Sequence, residues 1–332
     1  MDPQRHEPTS RPPRRRAPAA VVALAAMAAA AATGAGEPPD AWPERLQDTG
    51  LYAADGSIAP GLLEFSPQYP LWTDGAAKRR WISLPEGGVI DASDPDAWKF
   101  PPGTRAWKQF SSGRPLETRV IERGADGRWR FAAYVWNEAG TEAVLAPEAG
   151  VTLTGVPGMP GGRYRVPSRE DCVACHEAAP APLLGFSALQ LSSDRDPLAP
   201  HATAAPAGSL LPDLAARGWL SGLPAGLVAV PPRIDGRTPE ERAALGWLHG
   251  NCGHCHNARG PLASLGLVLA RPGDGARPEG PLPIGLMVQR LRSTNPFTRV
   301  PPAGVQVADS EAIALVERGL AGSRHVTEEK RP

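Results

Sequence analysis

The chain has 332 residues, enough for two domains with cores of their own. Its 35 Lys and Arg balance 35 Asp and Glu, which gives no electrostatic reason to expect nucleic acid or an acidic surface as a partner. Proline (39) and glycine (36) are abundant and point to short elements joined by many loops. All four cysteines fall in two short runs, which leaves none for a disulfide.

Residues 1–40 read as a leader. Arg14-Arg15-Arg16 is a basic start, residues 17–32 form an alanine-rich apolar run, and Thr33-Gly34-Ala35 offers small residues for cleavage. The run is shorter than the roughly 20 residues of a spanning helix, so export is favoured over a retained anchor or a basic tail. The mature protein is then expected to be periplasmic or otherwise exported, with no membrane span once the leader is removed.

Residues 41–155 read as a β-rich, sandwich-like domain. Strands are expected at 79–84, 104–110, 116–123 and 128–136, the last two flanking the turn Gly124-Ala125-Asp126-Gly127. Alternation of Trp129, Phe131, Ala133 and Val135 with polar or small neighbours suits a half-buried strand. Tryptophan recurs here (Trp72, Trp81, Trp98, Trp107, Trp129, Trp136). They suit a core and its rim, with a carbohydrate- or partner-binding face as the alternative.

Residues 156–237 begin with a Pro/Gly-rich linker (156–163). Ser168-Arg169-Glu170-Asp171 then has the hydroxyl and carboxylate spacing of a helix start, followed by a proline-broken stretch with a short helix near 212–220. In residues 238–322, Thr238-Pro239-Glu240-Glu241 is a second helix start. Further helices are expected at 284–291 and 311–320, the last capped by Asp309 or Ser310. Residues 323–332 are a tail. The fold class is therefore α+β: a β-sandwich-like domain followed by a mainly α-helical part.

Two runs dominate the chemistry: Cys172-Val173-Ala174-Cys175-His176 and Cys252-Gly253-His254-Cys255-His256. Cys-x-x-Cys-His is the attachment sequence of c-type haem. Two thiols a helical turn apart reach the two vinyl groups of one porphyrin, and the histidine at i+4 can face its iron. A zinc site of the form C-x2-C…C-x2-C or a redox dithiol would need no histidine. Histidine nevertheless follows both pairs, although the chain has only 7. Two covalent haem c groups are expected, held by Cys172, Cys175, Cys252 and Cys255, with His176 and His256 as proximal iron ligands. The order of helix, motif, loop, helix, loop and closing helix in residues 238–320 looks like a class I cytochrome c domain.

The chain resembles a family of exported di-haem c-type proteins, known as conserved hypothetical or cytochrome c domain-containing proteins. The resemblance rests on Phe65-Ser66-Pro67, residues 70–76, Lys78-Arg79-Arg80-Trp81, residues 100–104, Val166-Pro167-Ser168-Arg169, Leu184-Gly185-Phe186 and residues 248–256. It implies architecture, since the family has no established activity. Related chains tend to carry Met-Pro-Pro before the last helix, where this chain has Val300-Pro301-Pro302, and valine cannot ligate iron. The candidates for distal ligands are therefore Met287, His249 and Met159, with His201 and His325 ranked lower. Met287 also suits core packing and His249 a hydrogen bond. His254, inside the attachment loop, is poorly placed to ligate its own haem.

Electron transfer to and from a redox partner protein is the leading expectation. A di-haem peroxidase or oxidase-type enzyme with one open-coordination haem is the second reading. A partner- or polymer-binding protein with accessory haems is the third.

Overall fold

A computed structural model describes residues 41–271, 282–295, 297–302 and 304–321. The leader, the tail and His325 lie outside these residues. The strands are β1 (Leu63–Glu64), β2 (Ala77–Ser83), β3 (Ile90–Asp91), β4 (Arg105–Ser112), β5 (Arg114–Arg123), β6 (Trp129–Trp136), β7 (Ala143–Leu145), β8 (Val151–Thr154) and β9 (Arg163–Val166). Helices α1 (Arg169–His176) and α2 (Leu211–Ala216) follow. Strand β10 (Leu220–Ser221) then precedes α3 (Gly226–Ala229), α4 (Pro239–Cys252), α5 (Ile284–Arg292) and α6 (Ser310–Gly319). The protein is α+β, with one large antiparallel sheet in the order β1-β2-β4-β5-β6-β7 and two small sheets, β3 with β10 and β8 with β9.

The β5–β6 turn forms where expected. Gly127 donates its N–H to the Gly124 carbonyl at 3.0 Å, with φ of 78°, a conformation that glycine adopts without strain. Register then sorts the side chains between two faces. Trp81, Trp107, Val120 and Ala132 are in line across β2, β4, β5 and β6, as are Ile82, Ala106, Ile121 and Phe131 one residue along. The tryptophan row packs on Trp42, Leu46 and Leu51 from the preceding segment. The Ile82 row packs on Phe65, Leu183, Phe186, Leu191 and Leu211. Strand β6 is thus buried on both faces from Phe131 to Tyr134, where alternation alone suggested a half-buried strand. Among the described residues these covers are segments and helices, and no second sheet of comparable size faces the first. Of these tryptophans, Trp81, Trp98, Trp107 and Trp136 are buried in this core, as is Trp42.

The stretch expected as a linker is tied down. Residues 151–154 pair with 163–166 across it, and Val156 and Met159 are buried against Phe110 and Tyr164. The expected boundary at 155/156 therefore falls inside a hairpin.

The helix starts follow the cap chemistry. Ser168 Oγ accepts the Asp171 N–H and Asp171 Oδ2 accepts the Ser168 N–H, both at 3.0 Å, a reciprocal pair that satisfies two of the free amides of the first turn. Thr238 Oγ1 accepts the Glu241 N–H at 3.1 Å, and Asp309 Oδ1 the Ala312 N–H at 3.1 Å. Helices α4, α5 and α6 bury Ala243, Ala244, Trp247, Leu248, Met287, Val288, Ile313 and Val316 in one cluster. No helix among the described residues is long and apolar enough to cross a membrane.

A strap at residues 69–76 joins this helical cluster to the sheet. Tyr69 lies over Gly246 and Gly250 of α4, where a Cβ would overlap its ring and its carbonyl. Asn251 Oδ1 accepts the Trp72 N–H at 2.6 Å, and its Nδ2 donates to the Pro70 carbonyl at 3.3 Å. Asp74 accepts the N–H groups of Gln306 and Val307 at 2.8 and 3.0 Å. Trp72 Nε1 donates to the Val307 carbonyl at 3.1 Å, and its ring sits 4.7 Å from that of His201. These bonds give a structural reason for Pro70 to Ala76 and Leu248 to Asn251 to keep company.

Candidate functional site

Helix α1 carries the first motif against β6. Cys172 is buried in the cluster formed by Ile82, Ala106, Ile121 and Phe131, and the His176 ring lies 5.2 Å from Phe131. His176 Nδ1 is 2.6 Å from the Pro182 carbonyl. A carbonyl only accepts, so Nδ1 donates and Nε2 is left with a free lone pair. Anchoring one imidazole nitrogen on a carbonyl is what a metal-binding histidine needs to fix its tautomer and direction. Burial, opposed by the Pro182 carbonyl, lowers the His176 pKa to about 4, so the ring is neutral.

The second motif begins at the last residue of α4. Its backbone continues the helical pattern, with the His256 N–H on the Cys252 carbonyl at 2.8 Å, so the two thiols and the imidazole keep the spacing of a turn. His256 Nδ1 is buried without a hydrogen-bond partner. Burial lowers its pKa, and the nearby Leu267 backbone works against that shift without the geometry of a full hydrogen bond. The two histidines are thus held unequally.

The fold brings the motifs together. Asn257 Nδ2 donates to Ala178 O at 3.0 Å as well as to Gly253 O and His254 O at 3.3 and 3.0 Å, which staples the chain after one motif to the chain after the other. Cys175 lies near enough to raise the Cys255 pKa, after burial, and His254 near enough to lower that of His176, after burial and the nearer cations. All four cysteines are free. Burial raises Cys172 to about 11 and Cys252 to about 12, so these are thiols at neutral pH and not the activated thiolates of a redox dithiol. Among the described residues no three His, Cys, Asp or Glu side chains converge on a point that could hold an ion. The sulfurs are therefore not gathered as a four-sulfur zinc site requires. Two separate thiol pairs, each with one neutral histidine, fit covalent haem, which takes one protein ligand from each motif.

The other candidates are placed as follows. His249 Nδ1 accepts the Arg271 N–H at 3.0 Å, which keeps its proton on Nε2, the wrong form for ligation there. Met287 is buried in the α4–α5–α6 cluster, against which Cys252 packs. Met159 is buried with Phe110 and Tyr164. His201 Nε2 bonds Asp309 Oδ2 at 2.9 Å, an oxygen shared with Trp247 Nε1 at 3.0 Å, so it serves the strap. Burial, Lys108 and His256 lower the His254 pKa to about 4.

Sequence reasoning missed a row of cations on the face that receives α1. Arg80, Lys108 and Arg119 are in register across β2, β4 and β5, with Lys78 two residues along. Lys108 Nζ and the Arg119 guanidinium lie 4.9 and 4.3 Å from the Phe110 ring centre. Glu117 pairs with Arg119 through both oxygens at 2.7 and 3.0 Å and accepts the Tyr164 hydroxyl at 2.6 Å. Burial works against the charge on Arg119, yet Glu117 and Tyr164 together outweigh it and hold the pKa above its ordinary value. The rest of the row lacks such help. Burial lowers Arg80 to about 10, and burial with Arg80 and Arg119 lowers Lys78 to about 7 and drives Lys108 well below the lysine range. A cavity of about 470 Å³ opens farther along this side, between Trp98, Arg123, Trp129, Pro180, Pro182 and Arg259. No family model, curated protein or solved structure matches the chain.

Proposed function

We propose that the chain is an exported di-haem c-type cytochrome of the family it resembles, passing electrons to and from a redox partner protein. Cys172 and Cys175 would hold one porphyrin, and Cys252 and Cys255 the other. His176 and His256 would present Nε2 to iron. Bound haem supplies one-electron redox chemistry, with a potential set by its ligands and surroundings. The chain's own part is to fix the imidazoles, exclude water and keep the two groups near each other. In this reading residues 238–322 are a class I-like cytochrome c domain, and the preceding sheet is its β-domain.

The observation that carries the proposal is the pairing of each free thiol pair with a neutral histidine, in two motifs stapled by Asn257. A pyridine haemochrome assay on the purified chain should return two covalent haems. Fewer than two would defeat the reading. Reversible reduction by one electron per haem, without carbon monoxide binding, would complete it.

A second reading has one specific observation behind it. With His249 engaged by Arg271 and Val300 unable to ligate, one iron would be left five-coordinate, open to peroxide or a small gas. That peroxidase or oxidase-type enzyme requires a high-spin ferrous haem that binds carbon monoxide.

A further inference from the structure

Within the cation row only Arg119 is paired with a carboxylate, that of Glu117. Arg80 is 6% exposed, and burial alone acts on it, with no acidic group offsetting the cost. Glu117 bears on Lys108, but both its oxygens are already taken by Arg119 and Tyr164. Asp74 and Asp309 near Lys78 are likewise engaged, one by backbone amides and the other by His201, Trp247 and Ala312. Arg80 is buried and Lys108 beside it half-buried, and withdrawing a cation from water is costly unless an anion pairs with it, so the two suit an anion that comes to them.

Its place identifies the anion. Arg80, Lys108 and Arg119 share a face with Ile82, Ala106, Ile121 and Phe131, which belong to the same buried cluster as Cys172. Phe131 touches His176. Strand spacing of about 4.8 Å and a step of ~6.8 Å per two residues put the Arg119 Cα about 8 Å, and the Lys108 Cα about 12 Å, from that of Phe131. Lys108 also bears electrostatically on His176, His254 and Cys175, so it lies near both motifs.

We infer that Arg80 and Lys108 form a carboxylate-binding site that holds porphyrin propionates, so that the sheet sets the potential of the haem resting on it. The inference rests on the di-haem reading and gives the β-domain a task within it. Two cations beside a porphyrin favour the reduced iron, because oxidation adds positive charge. Arg119, already neutralised, keeps Phe110 in place beneath them.

The test uses the full-length holoprotein with Lys108→Gln, Arg80→Gln, the charge-keeping Lys108→Arg, and Lys99→Gln as an exposed control. Haems are counted first, and midpoint potentials are then titrated spectroscopically with and without added acetate at constant ionic strength. At a fixed potential, each Gln variant at Lys108 or Arg80 should raise the oxidised-to-reduced ratio of one haem about tenfold, or ~59 mV for a one-electron couple. Lys108→Arg and Lys99→Gln should match wild type, and acetate should change nothing. Two haems with unmoved potentials in both Gln variants overturn this inference and leave the di-haem reading standing. Fewer than two haems in wild type remove both. A wild-type potential that follows acetate, with variants that do not, assigns the site to a free anion and overturns the propionate assignment. Should Lys108→Gln fail to accumulate, Arg80→Gln decides the same point.

Discussion

Replacing Gly246 by alanine places a methyl group inside the Tyr69 ring. Helix α4 itself would gain, since alanine is favoured over glycine by about 1 kcal/mol in a helix interior. Tyr69 cannot easily yield, because it is 2% exposed and its hydroxyl bonds Asp196 Oδ2 at 3.0 Å. Overpacking costs typically 1–3 kcal/mol, occasionally more, and losing a hydrogen bond to a charged group costs about 1.5–3 kcal/mol. After the helical gain the net loss is roughly 1.5–5 kcal/mol. Near its middle, about 3 kcal/mol, the melting temperature should fall by roughly 4–5 °C for a chain of this size. Gly285→Ala in α5 is the comparison, because nothing lies within 4 Å of a Cβ there. Differential scanning calorimetry of the purified proteins reads both. A Gly246→Ala protein as stable as Gly285→Ala would refute the close approach of strap and helix.

Three further outcomes are expected. Asn257→Asp sets a carboxylate against three carbonyls that now receive an N–H and should cost about 3 kcal/mol, read as a lower urea midpoint; an unchanged midpoint would remove the staple between the motifs. Asp309→Ala deletes the α6 cap, worth about 1 kcal/mol, and orphans the buried Trp247 N–H, worth about 1–3 kcal/mol more. A combined loss under about 1 kcal/mol by urea titration would contradict that role. The double change Cys172→Ala, Cys175→Ala should lower the haem count from two to one while the second site keeps its spectrum, and a count still at two would show that the first motif holds no haem.

Local chemistry made much of the fold legible. The start of α1 needs only Ser168 and Asp171 three residues apart, and that of α4 only Thr238, Pro239 and Glu241, all readable in sequence. The last two long strands came from a glycine turn and, in β6, alternation, and the first two from the prolines and turn residues that bound them. What escaped was non-local. Arg80 and Lys108 in neighbouring strands resemble a solvent face, and only the tertiary fold buries Arg80 and half-buries Lys108. Gly246 and Gly250, four apart and flanking Trp247, were a readable hint of a close approach to α4, but Tyr69 as its occupant was not. His249 shows the same limit. Its position beside the motif suggested iron, whereas the Arg271 amide, 22 residues on, decides its tautomer.

The strap also dictates the order in which the chain can be completed. Trp72 bonds partners 179 and 235 residues downstream, and such contacts form only after a very long loop has closed. During synthesis the first half therefore exists for a time with Tyr69 and Trp72 uncovered. Its final state depends on α4 and the segment before α6, which arrive last. Tyr69 and Trp72 thus act as a seal between the earliest and latest parts to emerge. A chain ending at Gly236 should be cut by protease within residues 68–76, where the whole chain resists, and equal resistance in both would show that the strap settles without its downstream partners.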